Sequence, residues 1–213
     1  MKHIVIDLEM NASNCDVCRM EIIQIGAVVL DDQYQMMGSF STLVKPQWND
    51  IIEPFYESLT GISTEMVQNA PVFNEALYSF MNWIKNLNDE VEVLAWSESD
   101  LNQVLMEASY KEYEFDDFEE YVISQWVDFQ NEFDHKLFID HQCSLKDALD
   151  YAHIELEGNW HDALDDARNT AQLLALLRDD KKCLETFGTV IEVQKVEKDT
   201  LGDLFDFSQF VFD

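Results

Sequence analysis

Apolar and polar positions alternate in residues 3–9 (HIVIDLE), where Ile4, Ile6 and Leu8 fall on one face of an extended segment and Asp7 and Glu9 share the other. Residues 21–30 (EIIQIGAVVL) form instead an almost unbroken apolar run rich in β-branched side chains, the pattern of a strand covered on both faces. Asp31-Asp32 reads as a turn, and residues 37–44 as a third strand that stops before Pro46. Connections this short favour an antiparallel meander. Residues 47–64 are irregular, with short helical pieces punctuated by Pro54 and Gly61.

From residue 72 to 87 the periodicity changes. Phe73, Ala76, Leu77, Phe80, Ile84 and Leu87 recur at three- and four-residue steps and predict an amphipathic helix. Residues 91–96 read as a short apolar strand, and Asp100 opens a helix whose Leu101, Val104, Leu105 and Ala108 are expected to line one face. Helix followed by strand, twice over, signals parallel additions to the sheet. Residues 112–134 hold many acids and no Lys or Arg, yet Phe115, Phe118, Tyr121, Trp126 and Phe129 are interleaved. That segment reads as structured with an acidic solvated face, with room for a fifth strand within residues 122–129. Ser144 is expected to cap the helix SLKDALDYA, and residues 162–177 form another through Ala163, Ala167, Thr170, Leu174 and Leu177. Past Asp180 the pattern weakens: residues 189–196 look strand-like, and residues 201–213 mix acids with Phe205, Phe207, Phe210 and Phe212.

Composition changes this picture in one respect. A chain of 213 residues, 47% hydrophobic with five Trp, suits one domain with an unaided core, and six Gly with three Pro leave little for long linkers. The charge is the oddity: 43 acids against 13 bases give −30. Such a surface repels polyanions and anionic membranes, so a nucleic-acid function has to rest on metal ions or a local basic patch. Lys2, Lys45, Lys85 and Arg168 are too scattered in sequence to make one. The start of the chain runs straight into a strand with no signal-peptide pattern, and no apolar stretch reaches membrane-spanning length, so the expected setting is cytoplasmic and off the membrane. Four cysteines in a chain this long do not make a disulfide framework, and Cys15-x2-Cys18 lacks a second half for zinc.

The candidate chemistry is carboxylate chemistry. Asp7 and Glu9 project together from one strand, roughly 6–7 Å apart at Cα, and like charges so placed raise each other's pKa. A hard divalent cation would relieve them; a strand end with two solvated acids is the plainer alternative. His161 and Asp166 stand five apart in HDALDDARNTA, a step of roughly 140° on a helix, so they meet only if His161 lies just before the helix and Asp166 in its early turns. A loop His beside a carboxylate can serve as general base, and reads equally as a surface His at a helix start. Asp100 can be a site acid or simply a helix-start dipole partner. Trp96 and Trp160 flank these residues and are expected to pack in the core rather than stack on bases. His3, His135, His141 and His153 show no partner pattern, and no phosphate loop, dinucleotide fingerprint or nucleophile elbow is present.

Taken in order, a strand DxE, a strand-to-helix Asp and an H-x4-D on a late helix resemble the DEDDh (DnaQ-like) 3′–5′ exonucleases. The flanks FSTLVKP, LTGIS (residues 59–63), Ala70-Pro71 and HDALDDARNTA are most similar to the histone-mRNA 3′-exonuclease-like branch. The resemblance implies an α/β, RNase H-like fold: a central mixed five-stranded sheet, its first three strands antiparallel and the rest parallel, flanked by helices. It implies an exonuclease domain over residues 1–180, with residues 181–213 an acidic, Phe-rich extension packed on it or offered to a protein partner. It further implies two Mg²⁺ or Mn²⁺ ions held by Asp7, Glu9 and Asp166 with Asp100 in support, and His161 as the base that deprotonates water. The substrate would be the 3′ end of single-stranded RNA or DNA, cut to nucleoside 5′-monophosphates, and Met10 would pack against the terminal base or else sit in the core. A DNA proofreading or repair exonuclease and a non-catalytic acidic regulator with the same fold are the competing readings. Residues 97–99 (SES) lack the glycine usual in relatives, which is expected to alter how the following helix begins.

Overall fold

The computed structural model describes residues 1–12, 19–49 and 51–204, with side chains as far as residue 196. In chain order its elements are β1 (Lys2–Ala12), β2 (Met20–Leu30), β3 (Met36–Leu43), α1 (Pro54–Thr60), α2 (Thr64–Val67), α3 (Phe73–Lys85), β4 (Val91–Ala95), α4 (Glu98–Tyr110), α5 (Asp117–Ser124), β5 (Trp126–Asp128), α6 (Phe129–Leu137), α7 (Leu145–Ala152), α8 (Ala163–Leu177) and α9 (Asp180–Leu204). The strands make one sheet in the order β3-β2-β1-β4-β5. β1, β2 and β3 are antiparallel neighbours, while β4 joins β1 and β5 joins β4 in parallel. This is the mixed sheet expected from the alternation of short turns with helical crossovers, and the RNase H-like architecture that the family resemblance implied.

Apolar side chains cover both faces. Ile4, Ile6 and Leu8 meet Phe73, Leu77 and Phe80 of α3 and Val104 of α4 on one side. On the other, Val5, Val28 and Leu94 meet Phe129 and Phe133 of α6, Leu149 of α7, and Leu173, Leu174 and Leu177 of α8. The period of two therefore sends Asp7 and Glu9 toward the second side, the one that α8 covers. Asp7 pairs with Gly26 and Glu9 with Gln24, after which the register slips so that Met10 faces Ile22. Gly26 is required there: a Cβ on it would lie 2.2 Å from the backbone of Ala163 and Leu164. Its missing side chain is what lets the start of α8 lie directly on the sheet.

Two expectations are corrected, on α9 and α4. Residues 189–196 are not a strand but part of α9, because Cys183, Phe187, Val190 and Ile191 recur at helical steps and pack on the core cluster beside α8. Residues 122–129 do hold the fifth strand, as Trp126–Asp128 between the end of α5 at Ser124 and the start of α6 at Phe129. The inward face of α4 is not the one its leucines outline. Asp100, Gln103, Val104, Glu107 and Ala108 are buried, whereas Leu105 is exposed. Polar partners set that rotation: Ile22 N–H donates to Glu107 Oε2 at 2.8 Å, and Gln103 Nε2 to the Met20 carbonyl at 2.9 Å. His3 also has a partner, with its Nδ1 2.7 Å from Glu92, which Arg178 binds from the end of α8 at 2.6 and 3.1 Å. Cys15, Cys18 and the phenylalanines of residues 205–213 lie outside the described residues, and with them the zinc and tail expectations. Among the described residues no helix is long and apolar enough to cross a membrane.

Candidate active site

Each acid reaches the site from a different local device. β1 carries Asp7 and Glu9 in the period of a strand, Glu9 with only 6% of its surface exposed. Asp100 stands in the first turn of α4, which Ser97 caps by accepting the Ser99 N–H at 3.3 Å. It is buried at 5% exposure and accepts a hydrogen bond from the Leu8 N–H, one residue along from Asp7. Asp166 stands in the first turn of α8, capped by Asp162, which accepts from Leu164 N–H at 3.1 Å and Asp165 N–H at 3.2 Å. Gln24 of β2 secures that helix start from beneath, accepting the Ala163 N–H at 3.1 Å and donating to Asp162 Oδ2 at 3.2 Å.

His161 precedes the cap, in a left-handed backbone conformation with φ of 61°. Its N–H donates to Asp166 Oδ2 at 3.0 Å. The five-residue spacing works for this reason: the backbone reverses at His161 and brings the ring back toward the first turn of α8. A ring nitrogen of His161 and carboxylate oxygens of Glu9 and Asp166 all lie within 4.8 Å of one another. Together with Asp7 they line a cleft of about 500 Å³ that also includes Trp96, Ser144, Leu145, Lys146 and Trp160.

The electrostatics are those of acids crowded together. Burial, then Asp100, Glu9, Asp166 and Asp162, push Asp7 well above the ordinary carboxylate range. Burial, then Asp166, Asp162 and Asp100, push Glu9 up to about 8. Burial takes Asp100 to about 7 against the hydrogen bond from Leu8, and takes Asp166 to about 6 against the one from His161. Asp166 Oδ1 is buried with no hydrogen-bond partner. An orphaned buried oxygen beside mutually repelling carboxylates and an imidazole fits a hard divalent cation, whose preferred ligands are oxygens and whose charge would remove the repulsion.

Five of the six residues singled out from the sequence thus converge: Asp7, Glu9, Asp100, His161 and Asp166. Met10 does not line this cleft; it is half-buried and packs against the core cluster on the α3 side. Trp96 is buried as expected, its Nε1 donating to the Cys143 carbonyl at 3.2 Å. Trp160 departs from expectation, for it is exposed and lines the cleft. Gln24, Gly26, Lys146 and Asp162 were missed. Asp162 carried a readable signal, an acid directly before a helical repeat; the other three act through contacts that no local pattern displays.

A family model for exonucleases matches residues 4–174. The chain is 30% identical over 175 residues to ERI1 exoribonuclease 2 of Xenopus laevis, covering 72% of this chain and 25% of the relative. It is 28% identical over 205 residues to the 3′-5′ exonuclease DinG of Staphylococcus aureus, covering 95% of this chain and 21% of the relative. The chain therefore spans about a quarter of the length of the curated relatives it matches. Among solved structures, a full-length 3′-exonuclease superposes with a TM-score of 0.76 at 21% identity, covering 84% of this chain and 82% of that one. The nuclease domain of 3′hExo, a DEDDh family member bound to rAMP, gives 0.73 at 21% identity over 84% and 92%. With the family model spanning most of the chain and the acids gathered as described, the chain belongs to the exonuclease family.

Proposed function

We propose that this chain hydrolyses single-stranded nucleic acid from its 3′ end, RNA in preference to DNA, and releases nucleoside 5′-monophosphates. The observation that carries this is the meeting of Asp7 and Glu9 of β1 with Asp166 of α8 around one cleft, His161 at its side, and buried Asp100 of α4 close enough to Asp7 to raise its pKa. Nothing in the stability of the fold asks for these acids together; their mutual repulsion works against it. The preference for RNA rests on the exoribonuclease relatives at about 30% identity. Residues 1–180 would be the catalytic unit and residues 181–213 an extension leaning on it, supported by the family match ending at 174 and by burial of Cys183 and Phe187 of α9. Free, buried Cys143 and Cys183 suit a reducing, cytoplasmic setting.

Asp7, Glu9 and Asp166 would hold two Mg²⁺ or Mn²⁺ ions, with Asp100 in support. Such ions, when bound, supply Lewis acidity toward the phosphodiester and make water acidic enough to yield a nucleophile near neutral pH. The chain's own residues do the rest. An imidazole nitrogen of His161 takes the proton of the attacking water. The bond from His161 N–H to Asp166 Oδ2 holds the ring at the acids while that happens. Lys146, an exposed residue at the start of α7 with no ion pair to any described residue, offers the cleft a positive charge for a phosphate.

The test is a 5′-labelled oligoribonucleotide, and its deoxy counterpart, incubated with Mg²⁺, Mn²⁺ or EDTA. A ladder shortening from the 3′ end, abolished by EDTA and by Asp7→Ala, is expected, faster on the ribo-oligomer. Shortening that persists in EDTA, or no shortening with either metal, would overturn the reading. Faster cutting of the deoxy-oligomer would replace RNA by DNA.

A further inference from the structure

A chain of net charge −30 has to hold a polyanion, yet the lining of the catalytic cleft contains a single basic side chain that is permanently charged, Lys146. Proteins that grip single strands usually combine a positive groove with aromatic platforms. Here the groove is missing from the lining and an aromatic is present. Trp160, 36% exposed, forms part of two cavities at once. One is the catalytic cleft; the other is an adjoining pocket of about 390 Å³ whose wall includes Leu59, Gly61, Ile62 and Met66. No ring among the described residues stacks on the indole.

The turn that presents Trp160 is held rigid from α8. Gly158 has φ of 82° and packs so closely on Asp165 that a Cβ would lie 2.0 Å from its carboxylate. That carboxylate accepts the Asn159 N–H at 3.0 Å and is itself pinned by Arg168 at 2.8 Å. Asn169 exchanges two hydrogen bonds with the backbone of Glu157, each 3.0 Å. On the far side of Trp160, His161 N–H is bound to Asp166. A turn tied at 157, 159 and 161 keeps its backbone conformation whether or not the indole is covered, so little ordering entropy opposes stacking on that ring. An apolar ring left uncovered on such a turn, beside the proposed base, is suited to a flat ligand surface.

We propose that Trp160 is the stacking platform for a base next to the scissile linkage, and that stacking, rather than phosphate contact, supplies most of this chain's grip on a single strand. This rests on the exonuclease reading. The probe is a fluorescein-labelled octaribonucleotide with phosphorothioate linkages at its 3′ end, titrated by anisotropy in Mg²⁺, alongside the same oligomer made abasic at its last two positions. Trp160→Ala is expected to weaken binding of the intact oligomer by about 5- to 150-fold, to leave the abasic one unchanged, and to leave the salt dependence of binding unchanged. Trp160→Phe is expected to recover most of the loss. The proposal is overturned if the alanine variant binds the intact oligomer as the parent does, if it loses the abasic oligomer equally, or if phenylalanine restores nothing. Hydrolysis of an unmodified oligomer by the parent chain is scored separately. Base-dependent binding without hydrolysis would sink the exonuclease reading and spare Trp160, whereas hydrolysis with no effect of Trp160→Ala would do the reverse.

Discussion

Glu9 sits at about 8 where an ordinary glutamate sits at 4.5, and the difference has a consequence that can be measured. A carboxyl whose pKa is raised by folding binds its proton more tightly in the folded chain. It therefore favours folding below its unfolded pKa, and that contribution is lost as pH rises toward the folded value. Metal-free protein is expected to lose thermal stability from about pH 5 to about pH 8. Glu9→Gln should flatten the decline, and Mg²⁺ should reverse it. Melting scans in EDTA and in Mg²⁺ would show this; stability rising with pH in EDTA would contradict the crowding of the acids. His161→Ala is expected to lower kcat by about 10²- to 10⁴-fold while the rise in melting temperature with Mg²⁺ persists. If that rise vanished as well, His161 would be a ligand rather than a base. At this scale the residue types were readable in advance and their exposure was not. Trp160 stands beside His161 in any reading, but whether an indole is covered depends on neighbours far away in sequence.

Among the elements, the contact of α8 with β2 decides whether there is a site at all. Gly26 opposes Asp7 in the sheet and touches the backbone of Ala163 and Leu164, so the same residue sets the distance between the acids of β1 and Asp166. Gly26→Ala is expected to push the helix start away, costing about 1–3 kcal/mol of stability and a larger share of activity than of stability. Urea midpoints read beside kcat would check this, and a variant that keeps full activity would remove Gly26 from the account. α4 teaches a related lesson. Its leucines suggested one inward face, but the buried hydrogen bonds of Gln103 and Glu107 turn it so that Asp100 points at β1. In α9 the β-branched cluster of Thr189, Val190 and Ile191 imitates a strand. The rows that matter there, Cys183, Phe187 and then Val190 with Ile191, belong to a helix seated on α8.

For the molecule as a whole, the net charge of −30 is a standing cost to compactness that salt relieves. Raising NaCl from about 0.05 to about 0.5 M, which shortens the screening length to a few ångströms, is expected to raise the melting temperature of the metal-free protein. Over the same range, affinity for a single strand should fall only shallowly, because few phosphates are neutralised on binding. A steep fall in a binding titration across that salt series would point to a basic surface beyond the cleft. The large apolar faces and the alternating acids explain how much of the fold was legible. The sequence by itself determined that a two-residue period would place Asp7 and Glu9 side by side, that the run through Ile22 and Val29 would be buried on both faces, and that H-x4-D would begin a helix. Those are short-range properties, dictated by backbone repeat and side-chain hydrophobicity. Only the tertiary structure decided that Asp166 joins Asp7 and Glu9 in one cleft with Asp100 buried close by, that Gly26 lets α8 bring Asp166 there, and that Trp160 stays uncovered. Each of these depends on the packing of segments dozens of residues apart, and no local pattern encodes that distance.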